Sequence, residues 1–295
     1  MSTGLQGFLK NKAINEWGLF WLITAPISIA MLIAMAGADL RSGPGVSSMI
    51  QVSVRCAVPW LYLAFAASSM QILFPGPFSL WWSRNRKYFG LCFAAAMAWQ
   101  GLFIVWMTTV FNDYYVNEVY LLRDAIEGTI GYAFLFLMTV TSFVAFRKRL
   151  QPKTWKLLHK SGIYFLWAYA FSVYWWNLFY YGNPMWLDYV YYWGGFMACA
   201  LRIAAWRKKR LIKMQKVAPE ASAATALKIA GGLFVALGLF VASFGLLWQE
   251  TTTEFLTAPD FSASLVLWLP YWPFEPFLPL FIIALGAYLT TKVRA

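Results

Sequence analysis

The sequence predicts an all-α, polytopic membrane helix bundle of about eight spans. Three observations carry that expectation. Hydrophobic residues make up 61% of the chain and charged residues only 12%, about half the charged share of an ordinary soluble domain. Apolar runs recur at the length of about 20 residues that a helix needs to cross hydrocarbon. Most of the 24 Lys and Arg side chains fall in short segments that eight spans would place on one side.

The runs, in order, are 17–37, 48–73, 88–111, 129–146, 159–181, 187–206, 227–247 and 272–291. The first seven are clear. Between the third and fourth, 112–128 reads "NDYYVNEVYLLRDAIEG", with apolar residues at helical spacing among acids, which predicts a short surface helix on the outer side. The eighth run begins in "LPYWPFEPFLP". Proline breaks a helix interior, so Pro270–Pro279 reads as an interfacial loop leading into a short helix. The segment 207–226, "RKKRLIKMQKVAPEASAATA", reads as a basic cytoplasmic linker between a six-span core, 1–206, and a C-terminal two-span segment, 227–295.

Charge sets the orientation. Arg84, Arg86 and Lys87, the basic run Arg147–Lys160, and the run Arg207–Lys216 all fall on one side. Asp39, Asp113, Glu118, Asp188 and Glu250 fall on the other. Basic loops stay in the cytoplasm, so both termini are expected there, in a bacterial inner (plasma) membrane. The first run leads to "GADLRSGPG", without a small-x-small cleavage site, so no cleavable signal peptide is expected. Two cations remain inside the runs. Arg202 lies close enough to the cytoplasmic end to snorkel. Arg55 is deeper, and an intramembrane Arg is a functional candidate; its structural reading is a hydrogen bond to helix-end carbonyls.

Several function classes are disfavoured. The net charge of +12 sits between apolar spans, which argues against nucleic acid. Cys56, Cys92 and Cys199 lie in apolar runs without CxxC spacing, and a single histidine cannot build a metal cluster. No GxGxxG or GxxxxGK[ST] motif is present. No loop is long enough to fold a flavin or nicotinamide domain.

The stretch "TVTSFVAFRKRLQPKTWKLLHKSGIYFLW" holds that histidine, His159, together with Thr141, Ser142, Arg149, Leu150, Trp155, Leu158 and Tyr164. This pattern resembles the junction of spans four and five in the ferric reductase-like transmembrane family. "RNRKYFGLCFAAAMAWQG" resembles that family's entry into span three. The pattern is most similar to the six-span heme proteins of the periplasmic methionine sulfoxide reductase system, over about residues 15–206. The resemblance implies b-type hemes held between spans three and five by histidine pairs. Aligned residue by residue, Gln100 stands at the span-three histidine and Ser172 at the second span-five histidine, while His159 keeps the family residue. Gln100 and Ser172 lie equally far beyond Lys87 and His159, which at 1.5 Å per residue puts both about 20 Å from the cytoplasmic edge. Gln and Ser are poor iron ligands, and Arg or protonated Lys offers no lone pair. A bis-histidine heme therefore cannot form within one chain.

Two main expectations follow. In the first, the core carries no heme and the chain is an accessory or scaffold subunit of a larger membrane assembly, an electron-transfer complex being one candidate, and not an enzyme on its own. Its partners are other membrane subunits and lipids, and no nucleic acid. A Gln100–Ser172 hydrogen bond would register the helices, and Trp99, Trp167, Tyr169 and Phe171 would fill the space. In the second, His159 is the lone axial ligand of one five-coordinate heme b (Met97, Met107 and Met138 are conceivable second ligands, singled out by no spacing), and electrons pass from quinol or a flavoprotein to a periplasmic partner. A further expectation is a lipid, quinone or carotenoid in the former heme cavity. The bland role for His159 is a bond to a helix end or a lipid phosphate. The aromatic run 174–193, "YWWNLFYYGNPMWLDYVYYW", reads as an outer interfacial belt or as a docking surface for a membrane subunit or a hydrophobic ligand.

Overall fold

The computed structural model describes residues 7–217, 223–265 and 271–292. Among them there are helices and turns and no strand. The chain forms two compact units: Met1–Phe65 with Gly76–Trp167, and Ala66–Pro75 with Ala168–Ala295. Two long helices are continuous across the division.

The first unit contains α1 (Glu16–Gly37), most of α2 (Gly43–Leu73), α3 (Pro77–Val110), α4 (Leu122–Val140) and the first half of α5 (Pro152–Phe179). α3 starts well before the expected residue 88. Proline at the first helical position is preorganised for a helix, and the Ser79 hydroxyl accepts the Gly76 N–H at 3.1 Å. Arg84, Arg86 and Lys87 are thus helical, which suits their propensity, and form no loop. The outer segment also departs from expectation. Asn112–Tyr114 and Tyr115–Val119 form brief turns, and Leu122 already opens α4. α4 ends at Val140 rather than 146, where Thr141–Phe143 turn the chain into the short helix Val144–Arg147.

Asn85 ties this unit together. Its side chain is fully buried. Its Oδ1 accepts the Glu16 N–H at 2.9 Å, one of the N–H groups that the start of a helix leaves unpaired. Its Nδ2 donates to Asn15 Oδ1 at 3.0 Å and to the Trp81 carbonyl at 3.1 Å. Trp81 Nε1 donates to the Ile14 carbonyl at 2.9 Å. A residue of α3 therefore caps α1. Two clusters form the apolar interior: Leu19, Ile23, Ala64, Phe89 and Cys92, and Met31, Val46, Met49, Phe103 and Met107. Between helices in lipid, such contacts act through close packing rather than water exclusion.

The second unit holds the rest of α5, α6 (Trp186–Val217), α7 (Thr225–Ser243), α8 (Gln249–Thr257) and α9 (Leu278–Leu289). α6 is held at its start by Asp188, whose carboxylate accepts the Met185 N–H at 2.8 Å and the Asn177 amide at 3.1 Å. At its other end the expected linker is helical through Val217, because Lys and Arg are good helix formers and suit a helix C-terminus; residues 218–222 lie outside the described residues. Lys208 Nζ donates to the Ile72 and Leu73 carbonyls at 2.7 and 3.2 Å and so closes the end of α2. Tyr192 joins α6 to α7 through the Ala242 carbonyl at 2.9 Å.

α7 and α9 run antiparallel with their backbones almost touching. A Cβ on Gly231 would lie 2.6 Å from the Gly286 carbonyl oxygen, and a Cβ on Gly286 would lie 2.6 Å from that of Gly231. Small residues permit such approaches in membranes. α9 has only 12 residues and follows a turn at Glu275–Phe277. Of the expected loop ahead of it, Pro270 is outside the described residues. Among the described residues, four helices, α1, α2, α3 and α7, are long and apolar enough to cross a membrane.

Candidate functional site

Three successive pieces of chain build the surroundings of His159: the end of α4, the turn after it, and the opening of α5. Thr141 follows α4 and its hydroxyl donates to the Leu137 carbonyl at 2.6 Å. His159 Nε2 lies 3.0 Å from the same oxygen and shares a hydrogen bond with it, its direction set by the imidazole tautomer. The Trp155 indole donates to the Thr141 carbonyl at 3.1 Å, satisfying one of the carbonyls a helix end leaves over. Trp155 and His159 are one turn apart on α5, with ring centroids 4.4 Å apart. Arg147 covers the outer face of Trp155 at 4.5 Å, a cation–π contact. Arg86 and Arg147 both bring positive charge to bear on the half-buried imidazole. Lys87 Nζ lies 5.3 Å from the Phe143 ring, bringing α3 to the same turn.

Heme iron needs the lone pair of a ring nitrogen. Nε2 is in hydrogen-bond contact with Thr141, and Nδ1 is crowded by the side chain's own Cβ. The chain holds one imidazole, so a bis-histidine heme, which takes two, cannot be completed at this cluster. Among the methionines considered as second ligands, Met107 is buried in the apolar cluster with Phe103. Met138 packs against Gly162, where a Cβ would meet its sulfur. Met97 contributes its carbonyl to Tyr132 at 3.2 Å.

Gln100 and Ser172 belong to different units and have separate partners. Gln100 Oε1 accepts from the Tyr132 hydroxyl of α4 at 2.8 Å. Ser172 is buried and donates to the Tyr169 carbonyl of its own helix at 2.9 Å. Of the aromatic residues expected to fill the core, Phe171 is fully buried and stacks on Tyr192 with centroids 5.5 Å apart. Trp167 stacks on Phe65 at 5.1 Å, and Trp99 Nε1 reaches Ser28 at 3.2 Å. Arg55 is half-buried on α2. The aromatic run 174–193 divides. Trp175 and Tyr192 are fully buried, whereas Tyr181 and Trp186 are 65% and 72% exposed. Only part of it therefore has the exposure of a belt.

Sequence reasoning missed Asn85, Tyr132 and Glu275. Glu275 is fully buried and accepts from Thr253 at 2.8 Å; its position between two prolines was the available signal. Among the described residues no group of three or more His, Cys, Asp or Glu side chains converges on a metal position. No family model, no curated protein and no solved structure matches the chain.

Proposed function

We propose that this chain is an eight-span integral membrane protein of a bacterial inner membrane, with both termini cytoplasmic. In this reading its six-span core is a ferric reductase-like scaffold that no longer carries heme, and the protein serves as an accessory subunit of a larger membrane assembly. The observation that carries the reading is the closed polar cluster at the α4–α5 junction. The one imidazole available to iron bonds the Thr141 hydroxyl instead, within a stack formed by Arg147 and Trp155. At the second ligand level, Gln100 bonds Tyr132. His159 and Gln100 thus act as helix-to-helix fastenings, while Ser172 bonds within its own helix. Exposed aromatics such as Tyr181 and Trp186 offer contact area to neighbouring membrane subunits.

The test is an absorption spectrum of the purified protein before and after dithionite, joined to copurification in a mild detergent. The expected result is no reducible b-type band, with stoichiometric membrane partners. A reducible band that disappears in His159→Ala would overturn the reading and establish the one-heme electron carrier in its place.

A further inference from the structure

The turn that follows α4 also builds a hollow. After Thr141–Phe143 the chain makes the short helix Val144–Arg147. The Arg149 N–H closes it on the Phe146 carbonyl at 3.0 Å, and the Leu150 N–H on the Arg147 carbonyl at 3.1 Å. The chain then enters α5 at Pro152. Between the short helix and the first turn of α5 lies a space of about 460 Å³, in the size range of small-molecule sites. Val144, Leu150 and Trp155 give it an apolar wall, and Arg147, Lys148 and Lys156 give it positive charge. Among the described residues no acidic side chain lines it.

The three cations are exposed and keep donors for a ligand. Arg147 lies over the Trp155 ring at 4.5 Å. Such stacking uses the flat face of the guanidinium, and its N–H groups point outward in the plane. The Lys148 and Lys156 ammonium groups carry three donors each. Beside the hollow, Val144, Phe146 and Leu157 are also exposed. Large apolar side chains standing among cations are the composition of a segment that lies on a membrane surface. The depth agrees. Lys87 Nζ lies 5.3 Å from the Phe143 ring, which sets this turn level with the basic start of α3, a helix long and apolar enough to cross a membrane.

We infer that this hollow holds the phosphate of an anionic phospholipid, with Arg147, Lys148 and Lys156 around the headgroup and the acyl chains on the apolar side chains beside it. Charge and apolar surface together select the occupant. A soluble phosphate would meet the cations and leave Val144 and Leu157 bare. A zwitterionic lipid would bring a quaternary ammonium among three like charges. Basic segments at the membrane surface attract anionic lipid more strongly with each added cation. The inference rests on the membrane-spanning reading proposed above and is independent of the loss of heme.

The test is native mass spectrometry of the full-length protein, delipidated in detergent and titrated separately with phosphatidylglycerol, phosphatidylcholine and glycerol phosphate. Phosphatidylglycerol is expected to bind in preference to the other two. Lys148→Gln with Lys156→Gln should lower the preference over phosphatidylcholine by about 30-fold, at roughly fivefold per cation. Lys213→Gln with Lys216→Gln removes the same charge from exposed positions near the end of α6 and should leave the preference unchanged. Val144→Glu sets a carboxylate against the cations at an exposed position and should abolish the preference. Circular dichroism and thermal unfolding of all three variants should stay as in the parent. Equal binding of phosphatidylcholine, equal binding of glycerol phosphate, or an equal loss in the two lysine pairs would each overturn the inference. The dithionite spectrum reads heme and not lipid, so the two tests fail separately.

Discussion

The α7–α9 contact makes a prediction with its own internal control. In Gly231→Ala, the new Cβ would sit 2.6 Å from the Gly286 carbonyl oxygen and 2.5 Å from the Thr290 methyl. Restoring an ordinary contact near 3.4 Å requires the helices to part by about 0.8 Å. Overpacking of this kind costs roughly 1–3 kcal/mol, against about 1 kcal/mol gained because Ala is a better helix former than Gly. Gly232→Ala brings the same gain with no atom within 4 Å. The difference between the two variants therefore isolates the clash, and it should be about 1–3 kcal/mol. Gly286→Ala meets the Gly231 carbonyl oxygen at the same 2.6 Å and demands the same separation. Once one substitution has moved the helices apart, the second finds room. The double variant should then cost less than the sum of the singles, with a coupling of about 1–2 kcal/mol. Unfolding in mixed micelles of increasing SDS, followed by circular dichroism, reads all four proteins. The reasoning fails if Gly231→Ala unfolds no earlier than Gly232→Ala, or if the two clash costs simply add.

Other substitutions probe other joints. Asn85→Asp keeps the acceptor for Glu16 but sets an oxygen against Asn15 Oδ1 and the Trp81 carbonyl. It should cost about 2–3 kcal/mol in detergent unfolding, and an unchanged midpoint would refute the cap. Tyr132→Phe should cost about 0.6 kcal/mol, the average for membrane hydrogen bonds, and adding Gln100→Leu should then change little, as a double-mutant cycle will read. Lys208→Met removes the cation from the end of α2 and should cost about 0.3–1 kcal/mol, with faster amide exchange at Phe74, whose N–H closes the last turn on Met70 at 2.9 Å.

The sequence carried the class of fold because hydrocarbon imposes a length on apolar runs. α1, α2, α3 and α7 follow from that rule alone. Helix ends were less legible, because solvation and helicity are separate properties. Arg84, Arg86, Lys87 and the basic residues after Trp206 announce the end of an apolar span, and the helix continues through them. In the outer segment 112–128, apolar spacing signalled a helix, and the helix it signalled was the opening of α4. At the candidate site, the residue types were visible and their pairing was not. Thr141 and His159 stand 18 apart in sequence, and nothing local states that the turn between them will bring hydroxyl to ring. Asn85 lay within a basic run that reads as solvated, yet it is buried and bonded to Asn15 and Glu16 at the start of α1.

That arrangement has a bearing on biosynthesis. The capping oxygen for the first helix is encoded 69 residues after the group it caps. At 5–20 residues per second, the ribosome needs roughly 3 to 14 s to supply it. Until the third helix is made, the start of the first lacks the side-chain oxygen that caps it.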